Sequence, residues 1–347
     1  MAKNLFVVNS SINLLSTFVL ANSLFENDDN YLALVHPHGY DRWKEDKILR
    51  FMSSQDAGFK QVFPLIDKVF SKHIDYVRKN IKTLNVDNVF LGNDCGVQNQ
   101  LLMSTLGIKK FYRLDDGTGS YYNESQKRSI FRAWVHKMKI YALMIGSGIY
   151  SGFPVNTVAM GESKAAIGDY LLMPELLKRY SPKVCEITSE MIDVAMGKLR
   201  EFGLLEQELF GCDYVMYLGE SITEHSKSKF SFKDEVECLR KIMETLDNKT
   251  KVVYKPHPND KAYKLEHIKK EFPNLLIIES KLPVEFILRR EPLIKEVIGY
   301  VSSTLIFAKK ITGRNIKCVS LMKTADILLP KMYIHMLNKA GVIFREN

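Results

Sequence analysis

From Asp213 onward the chain alternates short apolar runs with helix-period segments, and no other feature narrows its possible folds as much. Tyr214-Val215-Met216-Tyr217-Leu218 reads as a strand, followed by Val252 to Lys255, Leu275 to Glu279, Val297 to Val301 and Ile316 to Val319. Helical patterns lie between them, including Lys233 to Leu246, Val284 to Arg289 and Thr304 to Lys309. Strands separated by helix-length connections form a parallel sheet with right-handed crossovers.

The first half carries the same grammar. Leu5 to Val8 reads as a strand, Asn9-Ser10-Ser11 as its loop, and Ile12, Leu14, Leu15, Phe18 and Val19 as the inner face of a helix. The loop lacks the glycines of a dinucleotide fingerprint, which argues against a Rossmann cofactor site there. Tyr31 to Val35, Asn88 to Leu91 and Phe111 to Leu114 read as further strands. Helices are predicted over Val62 to Ile81, Glu124 to Leu143, Leu171 to Tyr180 and Thr188 to Phe202. At 347 residues the chain has length for two domains of about 150 residues each. The predicted fold class is therefore α/β, with two doubly wound Rossmann-like domains and an interdomain cleft. The expected boundaries are 1–205, 206–328 and a C-terminal helical segment, 329–347, returning to the first domain.

Five scattered cysteines without a CxxC pair suit a reducing compartment and argue against a disulfide framework or a zinc site. Polar residues interrupt the apolar N-terminus, which reads as strand, loop and helix rather than a signal peptide. The longest uncharged run, Ile140 to Gly161, contains three glycines before Pro154, favouring a helix end and loop over a membrane span. The expectation is a cytoplasmic protein. A net charge of +9 predicts anionic company: a nucleotide, an acidic glycan, a membrane surface or nucleic acid. Glu124 to Leu143 mixes Lys127, Arg128, Arg132, Lys137 and Lys139 with Phe131, Trp134 and Met138. Such a helix can dock on an anionic membrane, or turn its aromatics inward and solvate its charges.

Polar motifs fall at several strand ends. Asp115-Asp116-Gly117 reads either as an Asx turn or as a base beside a loop whose glycines admit substrate. Lys255-Pro256-His257-Pro258 holds a histidine between two prolines, each of which restricts its own φ and its predecessor. Ser302-Ser303-Thr304 opens a helix, where hydroxyls and backbone amides form an anion site or a simple cap.

In this order the motifs resemble those of the bacterial sialyltransferases: an acidic pair before glycine, a His-Pro and a Ser-Ser/Thr. Leu282-Pro283-Val284-Glu285 matches the place where related enzymes carry a ribose-binding glutamate. The resemblance implies a GT-B fold and an inverting, metal-independent transfer of sialic acid from CMP-sialic acid to a glycan hydroxyl, without a cofactor. It makes Asp115 the general base and has Asp116 orient the loop or tune its neighbour by like-charge coupling. Protonated His257 is placed at the departing phosphate, Ser302 and Ser303 hold that phosphate with Thr304 beside them in the substrate-binding set, and Glu285 takes the ribose hydroxyls. Pro258, Lys255, Gly219 and the loop Asn9, Ser10 and Ser11 join the expected substrate-binding set, and Gly92-Asn93-Asp94 is expected beside the sugar or acceptor. The Asn-Ser-Ser loop is similar to capsular polysialyltransferases and the Asp-Asp-Gly to enzymes that cap lipooligosaccharide, so acceptor and linkage stay open. The expected partners are a nucleotide-sugar donor, a glycan acceptor (lipooligosaccharide, O-antigen or capsule) and an anionic membrane surface, with no nucleic acid. The alternatives are a GT-B transferase using CMP-Kdo or CDP-glycerol, and a non-catalytic binder of anionic polymers.

Overall fold

Leu5-Phe6-Val7-Val8 exposes nothing to solvent, and it runs through the middle of a sheet. The computed structural model describes residues 1–35, 46–65, 70–121, 129–150, 160–204, 211–220, 230–246, 250–257, 260–279 and 282–345. The chain divides into two units, Met1–Leu204 and Leu205–Asn347.

The strands of the first unit are β1 (Lys3–Val8), β2 (Asp29–Leu34), β3 (Gln61–Pro64), β4 (Asn88–Leu91), β5 (Phe111–Leu114), β6 (Ala166–Leu171) and β7 (Val184–Glu186). All pair in parallel, in the order β3-β2-β1-β4-β5-β6-β7. Successive side chains leave opposite faces of a strand. Leu5 and Val7 accordingly join Ala33, Val35, Val89 and Leu91 in one core layer. On the other face Phe6 stacks on Phe90 at 4.6 Å between centroids, and Phe90 on Tyr112 at 5.1 Å.

The second unit repeats the plan with β8 (Tyr214–Leu218), β9 (Lys251–Lys255), β10 (Leu276–Ile277), β11 (Ile294–Gly299), β12 (Lys317–Ser320) and β13 (Ile343–Phe344), in the order β10-β9-β8-β11-β12-β13. In each unit the chain fills one side of its first strand and then returns to the other. The order therefore reverses between β1 and β4, and again between β8 and β11, and crevices beyond such reversals are where open α/β sheets bind ligands.

Two local expectations are corrected. Val62 and Phe63 are not helical: they belong to β3, whose terminal proline costs no ladder bond at a sheet edge. Residues 171–180 are not a helix either; β6 ends at Leu171 and only the short turn Pro174–Leu176 follows. Ala166-Ile167-Gly168-Asp169 is poor in strand formers, and Asp169 is tolerated inside the sheet because Arg113 and Arg179 neutralise it. The segment 329–347 is grouped with the second unit. Its helix Lys331–Lys339 is followed by β13, which pairs with β12. The helix expected from Glu124 runs over Ile130–Gly146, and residues 122–128 lie outside the described residues.

Candidate functional site

In the first unit three loops leave adjacent strands: Asn9-Ser10-Ser11 after β1, Gly92-Asn93-Asp94 after β4 and Asp115-Asp116-Gly117 after β5. The backbone curls tightly at Gly117, whose φ of +80° suits a residue without a Cβ. Asp115 is fully buried. Its carboxylate accepts the Gly117 N–H at 2.9 Å, the Leu172 N–H at 2.9 Å and the hydroxyl of Tyr121. Burial lifts its pKa to about 7, and the bonds from Tyr121, Leu172 and Gly117 hold it from rising further. Asp116 is half-buried and takes the Ser10 hydroxyl at 2.5 Å; burial raises it to about 6 against that bond.

Ser10 also caps the helix Ser11–Ala21, accepting the Asn13 N–H at 3.3 Å. Asn13, a residue the sequence reading passed over, donates to the Asp115 carbonyl. Asn9 spends its side chain on the Val35 carbonyl and on Asn99, whereas Ser11 is exposed. Asp94, expected beside the sugar or acceptor, is committed to the backbone around it. It is wholly buried, accepts the Gly161 and Ser163 N–H groups at 2.7 and 3.0 Å, and lies 3.6 Å from Arg113.

The second unit gathers more of the expected residues. Lys255 ends β9 and is buried, donating to the Pro256 carbonyl. His257, half-buried, donates its backbone N–H to Asp260 at 2.8 Å and accepts the Asp260 N–H at 2.9 Å. Pro258 lies outside the described residues. Glu285, in the first turn of the helix Val284–Arg290, accepts the Thr304 hydroxyl at 3.1 Å. Burial raises its pKa, while Thr304 and the nearby charge of Lys255 act the other way. Lys255, Glu285 and Thr304, drawn from three separate motifs, thus share one neighbourhood.

The helix Thr304–Thr312 begins there, and Ser302 Oγ accepts the Thr304 N–H at 3.3 Å. Ser303 precedes the helix without a side-chain capping bond. The amides just ahead of it do not stand ready for a ligand, as the sequence led us to expect. Glu220 takes them: its Oε1 accepts the N–H groups of Tyr300 (2.6 Å), Val301 (3.0 Å) and Ser302 (3.1 Å). Burial lifts Glu220 to about 7 against the pull of those three bonds.

Lys264, the other residue missed, is buried. It lies 2.9 Å from Glu235 and 3.1 Å from Asp260, and it donates to the Glu220 carbonyl at 3.1 Å. One ammonium therefore ties the His257 loop, through Asp260, to the Ser302 loop, through Glu220. Gly219 has a packing role: a Cβ there would sit 2.4 Å from the Tyr254 hydroxyl and 3.1 Å from Asp260. The C-terminal helix adds a pin, with the Tyr333 hydroxyl donating to the Val301 carbonyl at 2.5 Å. Among the described residues no three His, Cys, Asp or Glu side chains form a metal-holding group.

Comparison with known proteins gives a family and a fold. The family model described as alpha-2,8-polysialyltransferase (POLYST) matches residues 4–321. No curated protein sequence matches the chain. Among solved structures, the GT-B domain of a Photobacterium damselae sialyltransferase aligns with a TM-score of 0.55 at 12% identity, covering 99% of this chain and 100% of that one. UDP-GlcNAc 2-epimerase of Neisseria meningitidis bound to UDP-GlcNAc aligns with a TM-score of 0.54 at 9% identity, covering 98% and 86%. The epimerase of Methanocaldococcus jannaschii aligns with 0.51 at 13%, covering 98% and 92%. At these identities the likeness is one of fold, and the fold is GT-B.

Proposed function

The chain belongs to the alpha-2,8-polysialyltransferase family, and we propose that it moves sialic acid from CMP-sialic acid to a hydroxyl of a cell-surface glycan, with inversion and without a divalent cation. Asp115 takes the proton of the acceptor hydroxyl as that oxygen bonds to the anomeric carbon. The bond from that carbon to the donor phosphate breaks, and protonated His257 neutralises or protonates the leaving CMP. The hydroxyls of Ser302, Ser303 and Thr304 hold its phosphate at a helix start, toward which the helix turns the positive end of its dipole, and Glu285 takes the ribose hydroxyls. A carboxylate raised to about 7 suits a base working near neutral pH. Both Asp115 oxygens are engaged, so substrate entry has to displace one bond, that of Tyr121 being the one made by a movable side chain. Asp116, bonded to Ser10, orients the loop.

The observation that carries the reading is the grouping of Lys255, Glu285 and Thr304 beyond the carboxyl edge of one parallel sheet. The family description makes a sialoside, extended in α-2,8 linkage, the first acceptor to test, with lipooligosaccharide next. No described helix is long and apolar enough to cross a membrane. We place the enzyme at the inner face of the plasma membrane as a peripheral protein, drawn there by its positive charge.

The test incubates the protein with CMP-sialic acid and a panel of galactosides and sialosides, read by mass spectrometry. CMP release with glycan growth is expected, and His257→Ala should slow it by roughly 10²- to 10⁴-fold, the usual worth of a general acid. Indifference to CMP-sialic acid, with turnover of CMP-Kdo or CDP-glycerol, would sink the donor assignment.

A further inference from the structure

The helix Ile130–Gly146 carries two apolar stripes and no acidic residue. One stripe, Ala133, Ile140 and Met144, is buried against the unit, with Ile140 and Met144 packing near Leu101 and Ile74. The other consists of Phe131, Trp134, Val135, Met138 and Ile145, spaced so that at about 100° per residue they share one face. That face points away from the unit: Phe131 is 72% exposed, Trp134 59% and Ile145 58%, and Ile130 beside them reaches 92%. A soluble surface rarely shows a continuous apolar stripe unless something covers it.

The cations say what covers it. By the same geometry Arg132 and Lys139 lie on one flank of the exposed stripe and Lys137 on the other, all three exposed. Arg78 donates to the Ser147 carbonyl just past the helix C-terminus, adding a further cation at that end. Apolar side chains in the centre and long basic chains on both sides suit a surface of acyl chains beneath anionic headgroups, because the stems can stretch along the apolar layer while the charges meet phosphate. A soluble anionic polymer would match the cations and leave the aromatics in water.

We propose that the helix Ile130–Gly146 is the membrane-docking surface of this protein, lying in the headgroup layer of an anionic bilayer with Phe131, Trp134, Met138 and Ile145 turned into the acyl region. The surface deepens the peripheral-membrane reading above and is independent of the donor, so failure to bind vesicles and failure to release CMP are separate results.

The chain has two tryptophans, Trp43 and Trp134. In full-length protein carrying Trp43→Phe, Trp134 is the sole reporter. Vesicles of phosphatidylcholine with phosphatidylglycerol should shift its emission to the blue, and brominated acyl chains should quench it; phosphatidylcholine alone should do far less. Phe131→Ser with Met138→Ser should weaken binding at least tenfold with an unchanged circular dichroism spectrum. Lys137→Glu with Lys139→Glu should remove the preference for phosphatidylglycerol. The proposal is overturned if the protein sediments with vesicles while Trp134 emission stays fixed. It is also overturned if the same shift appears without vesicles, either on raising the protein concentration, as a second copy covering the stripe would cause, or on adding dextran sulfate.

Discussion

Asp115 has no exposed surface and still carries the chemistry proposed for it, which makes Tyr121 the informative neighbour. The tyrosine hydroxyl favours the charged carboxylate, opposing the burial that raises it to about 7. In Tyr121→Phe the opposition is gone and the carboxylate is held more tightly in its protonated form. The acid limb of the pH profile of kcat/KM, which reports the free enzyme before substrate displaces that bond, should therefore move to higher pH, with a lower kcat/KM at pH 7. A limb that stayed in place would mean that some other group is the base. Glu220 yields a second prediction. Glutamine offers one carbonyl oxygen where Glu220 uses Oε1 for three N–H groups, so Glu220→Gln should keep the loop and leave the donor KM unchanged or lower above pH 7, having no charge to set against the phosphate. Glu220→Ala leaves three amides without that partner and should raise the donor KM about tenfold or more, since each buried unsatisfied group costs about 1–3 kcal/mol. Equal KM values for both variants would remove Glu220 from the positioning of the loop.

Elements become legible at the next scale. The helix Ala262–Glu271 looks from its sequence like a solvated surface helix, with Lys264 one of several lysines. In the fold Lys264 is the buried tie between two loops. Removing one partner of a buried ion pair typically costs about 3–5 kcal/mol, because the remaining charges stay buried without compensation. Lys264→Met should show a loss of that size by urea unfolding, and more protease cleavage near residues 257–260 than the parent. The helix Ile130–Gly146 teaches the reverse lesson. Its aromatics were legible as a stripe, but their spacing could not say whether they faced the core, and it is Ala133, Ile140 and Met144 that do. Val62-Phe63 was misread because a short apolar run beside a basic helix fits either period, and pairing with β2 decides it.

At the scale of the molecule, each unit builds its own parallel sheet in the same strand order and places its polar motifs beyond the reversal in that order. The core of the first unit rests on an aromatic layer in which Phe90 meets Phe6, Phe25, Tyr112 and Tyr170. Phe90→Ala should cost about 3–5 kcal/mol, read as a lower urea midpoint of the transition to which the first unit contributes. The sequence by itself determined the parallel α/β class and the strands that hold the motifs, because strand-and-helix periodicity is a local property of the chain, while Asp115, His257, Glu285 and Ser302 became candidates through the resemblance of their motifs, in order, to those of bacterial sialyltransferases. Only the tertiary structure decided that Glu220 fills the amides ahead of Ser302, that Lys264 joins two loops, that Asp94 meets Gly161, Ser163 and Arg113 and that one face of Ile130–Gly146 is left uncovered. Those are pairings between residues far apart along the chain, set by which strands lie side by side and which side chains lose their water, and no local pattern encodes them.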